Sequence, residues 1–553
     1  MIPNSRKIAS VSSVLPLVAA MALYAAVTLV AALQILNAAG EPVYALDDVY
    51  IHMALAKNLA QHGVYGVTPF ETTHASSSPL WVLLLAGGFA VLGPWIWWPG
   101  LLAFGSAVAV LAVANRFLRT QTRAETSFNG IAGRAGVLCL IVLGASLPAL
   151  TVQGMEHLLH AAIALLAAML GASAVADGRQ DHRRDILLIG LCLLLPVLRY
   201  ESLWLSALLA AGLAWRGRFT LSAMLLAASA VSVCAVGFWA MSRGLTFLPA
   251  PILTKSVGPL LLADDGILRL IARFTWHPLE RITRVPLLTV LFIAAVVSFA
   301  VSLWRRRMAV LDDTRPVMVG LFIAGTWIHA TFATFGWGAR YEAYLIVLGL
   351  AAMGAVALEA ARHLQPTLRR HRIAALFGGL VVALTIHTTF GRALITYRNA
   401  QHAAIEVLNR DIYVARFLAK AYPGQPVLAM NIGAVVWEGE PHLVDALALG
   451  SPEVLRLFLA GRLDPQSLDA VARAHDVKVF AVFDEWFEFW TGGTAPWTAV
   501  AEIDASNDRR KLHLTLYARD ATEGRILAEK MQLIRPDGAF DVRTTLLPPF
   551  DGG

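Results

Sequence analysis

Charged side chains are scarce in this chain of 553 residues: Asp, Glu, Lys and Arg make up 15%, against 57% hydrophobic residues. Soluble domains carry about a quarter charged residues, so a water-exposed globule of this size is excluded. Cysteine is nearly absent too. Cys139, Cys192 and Cys234 all lie inside apolar runs, so neither an extracytoplasmic disulfide framework nor a zinc site can be assembled from them. Internal repeats and low-complexity stretches are lacking. What is plentiful is uninterrupted apolar sequence: residues 8–38, 219–242, 286–304 and 373–391 contain no Asp, Glu, Lys or Arg. Such runs approach the ~20 residues that cross a bilayer, and mean hydropathy is +0.61. The composition is that of a multi-span membrane protein.

A net charge of +7 does not point to nucleic acid, because the arginines gather in short links between apolar runs, where they orient the chain. Eleven spans are expected, near 12–37, 99–117, 135–153, 157–176, 186–198, 202–215, 219–242, 286–304, 317–336, 343–361 and 373–390. With the N-terminus inside, every cytoplasmic link is basic: Arg116, Arg119, Arg123 and Arg134 in one, Arg305, Arg306, Arg307 and Arg315 in another, and Arg362, Arg369, Arg370 and Arg372 in the last. The first apolar stretch is about twice the length of a signal-peptide core, so it is read as an uncleaved span. Residues 79–93 are apolar but short, and Trp95, Trp97 and Trp98 follow. They are read as a helix lying at the outer interface. The expected organisation is a polytopic α-helical membrane domain, 1–390, with a long first outer loop, 38–98. An extracytoplasmic α/β domain, 391–553, follows, where strand-like runs such as 426–429 and 477–483 alternate with helical stretches.

Asp47 and Asp48 open the first outer loop, about ten residues past span one. Ile51, Leu55 and Leu59 follow at helical spacing, and Gly63 and Gly66 end the pattern. A base that takes the proton of an attacking hydroxyl must lie within hydrogen-bond reach of it, and a carboxylate serves. A second carboxylate can raise the first one's pKa, orient it, or hold a divalent cation. The plainer alternative is that the pair caps a surface helix.

The succession of span, acidic pair, amphipathic helix, Gly-x-Tyr-Gly turn, Ser-Ser-Ser-Pro-Leu-Trp and interface helix resembles the GT-C glycosyltransferase superfamily. Further stretches are similar to the branch with lipid-linked-sugar arabinofuranosyltransferases and protein O-mannosyltransferases. These are QGMEHLLHAAIALLA at 153–167, LRYESLW at 198–204, LPAPILTK at 248–255 and NIGAVVWEGEPHLVDALALGSPEV at 431–454. The chain departs from the pattern at LRYE, where Arg-Pro-Asp/Glu-Gly is common, at Pro-Ala-Pro in place of Pro-Asn-Thr, and at Asn431 in place of Asp. The resemblance implies a glycosyltransferase of the bacterial inner membrane using a polyprenyl-phosphate sugar, with a glycan, lipid or protein acceptor outside the cytoplasm. It also implies that the first acid of the pair, Asp47, is the base, and that Lys255 matches a phosphate-holding lysine.

Other polar residues fall at the outer ends of spans: Glu156, Arg199, Glu201, Lys255, Arg340 and Glu342. Lys255 and Arg340 are the candidate cations for the carrier's phosphate. Arg199 and Glu201 join two short spans and are read either as part of a protein-lined cavity or as a structural pair. His74 is a further candidate, whereas the spacing of His52, His62 and His74 fits no single-face metal pattern. In the tail, Asp445 and Glu453 are expected to serve a strand-end turn and a helix start. Two rival classes are a transporter or flippase of lipid-linked sugars, which needs charges along a path through the spans, and a non-catalytic scaffold, which needs no acidic pair.

Overall fold

A computed structural model describes residues 4–121, 127–257, 267–364, 372–505 and 513–550. Arg123, Arg369 and Arg370 lie outside the described residues. The chain divides into two compact units, one of residues 1–32, 100–234 and 265–399, the other of 33–99, 235–264 and 400–553.

The first unit is helical. Among the described residues of the whole chain, seven helices are long and apolar enough to cross a membrane: Val14–Ala39, Trp98–Gln121, His157–Asp177, Phe219–Ser242, Pro286–Arg306, Ala343–Arg362 and Ala375–Ala421. This is a multi-pass membrane protein. The remaining expected spans are also helical, over Phe128–Gly144, His182–Leu198, Leu203–Trp215 and Thr314–Phe332. The stretch expected as one span over 135–153 is broken. Ser146 takes a left-handed φ of 55°, and a short second helix, Leu147–Thr151, restarts with Pro148 in its first turn. Helices meet closely where side chains are small: a Cβ on Gly171 would stand 2.4 Å from Leu209, and one on Gly349 2.7 Å from Phe322. Ile267–Thr283, expected as loop, is an amphipathic helix. Its Ile271, Phe274 and Trp276 are exposed.

The second unit holds a six-stranded mixed sheet of β1 (Pro426–Ala429), β2 (His442–Asp445), β3 (Val479–Phe483), β4 (Thr498–Ala505), β5 (Leu514–Ala518) and β6 (Val542–Leu546), in the order β2-β1-β3-β5-β4-β6. β1 runs parallel to β2 and β3, and the other pairings are antiparallel. The β3 run VFAVF is buried on both faces, as a central strand covered on each side must be. The helices Asp47–His62, Pro79–Leu92 and Gly433–Glu438 pack together in this unit.

Candidate functional site

Leu46 is extended, and the helix begins at Asp47 with both acids in its first turn, where the helix dipole favours negative charge. No side chain caps this helix from the position before it. The Asp47 carboxylate is engaged elsewhere: it accepts the backbone amides of Gly433 and Ala434, each at 2.8 Å. Gly433 permits this approach, since a Cβ there would lie 2.1 Å from the Asp47 carbonyl oxygen. Residues Val49 to Asn58 of the helix are buried. Its far end is fixed by Asn58 donating to the Gly66 carbonyl at 2.9 Å. Gly66 is required in turn, because a Cβ would meet the Glu71 carbonyl at 1.9 Å. One turn along from Asp48, His52 bonds Ser76 at 3.1 Å, and the Ser78 amide donates to the same hydroxyl.

A residue that sequence reading missed stands beside this pair. Asp411 is buried on a π-helical segment, Val407–Ile412, a form that often marks functional sites. Arg410 donates to both its oxygens at 3.2 and 3.3 Å, and Asn431 donates at 3.0 Å. The Arg410 guanidinium in turn lies 4.8 Å from the Phe483 ring centre. Burial, then the charge of Asp411, then that of Asp48 push the Asp47 carboxyl up to about 8, against the pull of the two amides. The sequence signal was the NIGA run that carries both Asn431 and Gly433. Nothing local marked Asp411 itself.

Lys255 is exposed on a second π-helical segment, Leu253–Val257, and forms no ion pair among the described residues. Asp445 ends β2 and accepts the amides of Leu447, Leu449 and Gly450 at 2.6–2.8 Å. Burial raises its pKa to about 6, opposed by those three bonds and by the charge of Lys255. Glu453 lies in the first turn of helix Pro452–Leu459. The strand-end turn and the helix start are thus as the sequence reading has them. His74 is buried, its Nδ1–H donating to the Thr246 carbonyl at 3.1 Å, and burial lowers its pKa.

The other candidates belong to the helical unit. Arg199 bridges Glu156 at 2.8 Å and Glu201 at 2.5 Å, and its guanidinium lies 5.3 Å from the Tyr341 ring centre. Arg340 is buried, 5.1 Å from the same ring. Glu342, fully buried, accepts Arg392 at 2.7 Å and the Gly336 amide at 2.7 Å. These bonds brace an unusual turn. Gly336, Trp337, Gly338 and Ala339 all have φ between 49° and 94°, a conformation that costs about 1–2 kcal/mol for each non-glycine residue. Gln153 donates to the Gly338 carbonyl and Arg392 to the Ala339 carbonyl. The helix expected to reach 336 therefore ends at Phe332. Among the described residues no group of three or more His, Cys, Asp or Glu is placed to hold a metal ion.

Residues 396–522 match the model of a domain of unknown function, DUF8728. No curated protein matches. Among solved structures, the chain is similar to the archaeal oligosaccharyltransferase AglB from Archaeoglobus fulgidus in complex with an inhibitory peptide and a dolichol-phosphate. That likeness has 13% identity and a TM-score of 0.48, covering 89% of this chain and 76% of that one. The apo oligosaccharyltransferase of Archaeoglobus fulgidus gives 14% identity and 0.49, covering 95% and 76%. ArnT from Cupriavidus metallidurans bound to undecaprenyl phosphate gives 12% and 0.46, covering 91% and 98%.

Proposed function

We propose that this membrane protein transfers a sugar from a polyprenyl-phosphate donor to an extracytoplasmic acceptor, a glycan, lipid or protein hydroxyl, with Asp47 as general base. The observation that carries the reading is the Asp47 carboxylate, held by two main-chain amides at 2.8 Å with its pKa raised towards neutrality. A base works best when its pKa lies near the operating pH and its position is fixed. The acceptor oxygen attacks the anomeric carbon and gives its proton to Asp47. The bond from that carbon to the phosphate oxygen breaks, and the phosphate leaves with the electron pair. Lys255, exposed on its π-helical segment, is the cation assigned to the charge developing on the phosphate. Arg340 is 1% exposed, so it reaches a phosphate only after a movement. Lys255 therefore carries that role in the proposal. Asp48 assists through its charge on Asp47.

The transporter alternative is less well supported. Glu156, Arg199 and Glu201 sit at helix ends and are paired with one another rather than spaced along a path. The test is to incubate the purified full-length protein with a panel of polyprenyl-phosphate sugars and follow turnover or hydrolysis by mass spectrometry. Release of free polyprenyl phosphate from at least one donor is expected. A panel of broad sugar coverage left intact counts against the proposal.

A further inference from the structure

Of the seven helices of membrane-spanning length, the last, Ala375–Ala421, is the least covered: 11% of its apolar window is buried, against 28–72% in the other six. Within the helical unit it is held along one stripe. Thr385 and Thr389 are buried, Arg392 donates to the Gly144 carbonyl at 2.9 Å and to Glu342 at 2.7 Å, and Thr396 donates to the Ser146 hydroxyl at 2.9 Å. The opposite side carries Phe377, Leu380, Leu384, His387, Gly391 and Leu394, all exposed. Their spacings of 3, 4, 3, 4 and 3 residues are those of the seam in a left-handed helix pair. One member of that seam is foreign to hydrocarbon. Exposed apolar residues run from Leu376 to Ile395, about 28 Å of helix at ~1.5 Å per residue, close to the ~30 Å of a bilayer's apolar core. His387 stands about 12 Å inside the nearer end of that stretch, and it makes no hydrogen bond or ion pair among the described residues. Ionisable groups at such depth are expensive, and they almost always face protein or water rather than lipid.

We propose that this face is the seam of a homodimer, paired with the same face of a second copy of the chain. Two copies inserted in one direction are related by a two-fold axis along the membrane normal, so each residue of the seam meets its own counterpart at equal depth. His387 then faces His387. A neutral imidazole carries one N–H donor and one lone-pair acceptor, which makes the residue its own complement: one copy donates and the other accepts. Gly391 lies one turn further on, with no atom within 4 Å of the place a Cβ would take, and a glycine there lets two backbones approach closely. A single polar residue in an apolar seam also fixes the register of the pair. A helix of another protein would need a polar group at this one depth, whereas a second copy supplies it by symmetry.

The test uses the full-length protein, with donor- and acceptor-labelled copies reconstituted together in dilute lipid vesicles. Energy transfer above the level of random proximity is expected, rising linearly with the acceptor-labelled fraction as a dimer requires. His387→Leu is expected to weaken the dimer about tenfold, the worth of one hydrogen bond between membrane helices. His387→Asn is expected to keep it, since the side-chain amide also donates and accepts. Gly391→Leu, which holds the backbones apart, is expected to abolish it. Both positions face away from the packed stripe, so the melting temperature of each variant is expected to stay near wild type. A photoreactive benzoylphenylalanine in place of Leu384 is expected to join two copies. The same group in place of Val382, which is also exposed but lies about 200° around the helix, is expected not to. Energy transfer at chance level, a dimer unchanged in His387→Leu, or adducts at position 384 with lipid or another protein alone overturns the proposal.

Discussion

The Gly433 amide donates to the Asp47 carboxylate at 2.8 Å across 386 positions of sequence. That bond ties the acidic pair of the first loop to the start of helix Gly433–Glu438 after β1, and it places the glycine in the candidate site with the acid. Gly433→Ala would drive a Cβ against the Asp47 backbone, which cannot swing aside. Transfer is expected to fall by about 10²-fold, the usual consequence of an ångström of misplacement. The melting temperature, followed in the same preparation, is expected to drop as well. A variant with full activity would show that the contact does not position the base.

Asp411 raises the Asp47 pKa through its charge. The base must be ionised to act, so the transfer rate is expected to rise with pH through that pKa. Neutralising the neighbour in Asp411→Asn lowers the pKa of Asp47, and the acid limb of the pH–rate profile moves to lower pH. Arg410, left without its carboxylate, adds to the shift in the same direction. A profile that stays in place while the rate changes would assign Asp411 a purely structural part.

Lys255 is exposed, so Lys255→Ala leaves no cavity, and stability is expected to stay within about 0.5 kcal/mol of wild type. Loss of one charge-assisted contact to the leaving phosphate is expected to lower transfer by about 10²-fold. Measured donor affinity and turnover equal to wild type would remove Lys255 from the site.

Arg199 holds two carboxylates, Glu156 and Glu201. Arg199→Ala leaves both without their cation in a poorly solvated place, and denaturant unfolding is expected to show a loss of about 3–5 kcal/mol. Recovery of stability in the triple variant Arg199→Ala, Glu156→Gln, Glu201→Gln would identify the group as structural. Stability regained without transfer activity would identify a second role.

Much of the helical unit was legible because apolar runs of membrane length have few alternatives to a helix. The residues that bend those runs were harder to read. Ser146 breaks an apolar stretch by a left-handed φ that no hydropathy pattern records. The turn at Gly336–Ala339 depends on bonds from Gln153 and Arg392, both distant in sequence. The amphipathic helix Ile267–Thr283 does not stand out in a hydropathy pattern, because its apolar residues are spaced rather than contiguous. In the candidate site, the loop acids stand out in the sequence through their setting in the chain. Asp411 was not, since an Arg-Asp dipeptide near the end of a long helix has no local signature. Its proximity to Asp47 is a product of the tertiary fold alone.

Asp47→Asn puts the assignment of the base to its most direct test. Asparagine keeps the size of the side chain and removes the basic lone pair. Asparagine accepts only one of the two main-chain amides that Asp47 holds, so the protein is expected to stay folded with a stability loss of about 1–3 kcal/mol, which a thermal melt of the same preparation measures. Transfer from a polyprenyl-phosphate sugar, measured by mass spectrometry on the purified protein, is expected to fall by roughly 10²–10⁴-fold. A folded Asp47→Asn protein that transfers sugar at a rate near wild type would contradict the assignment.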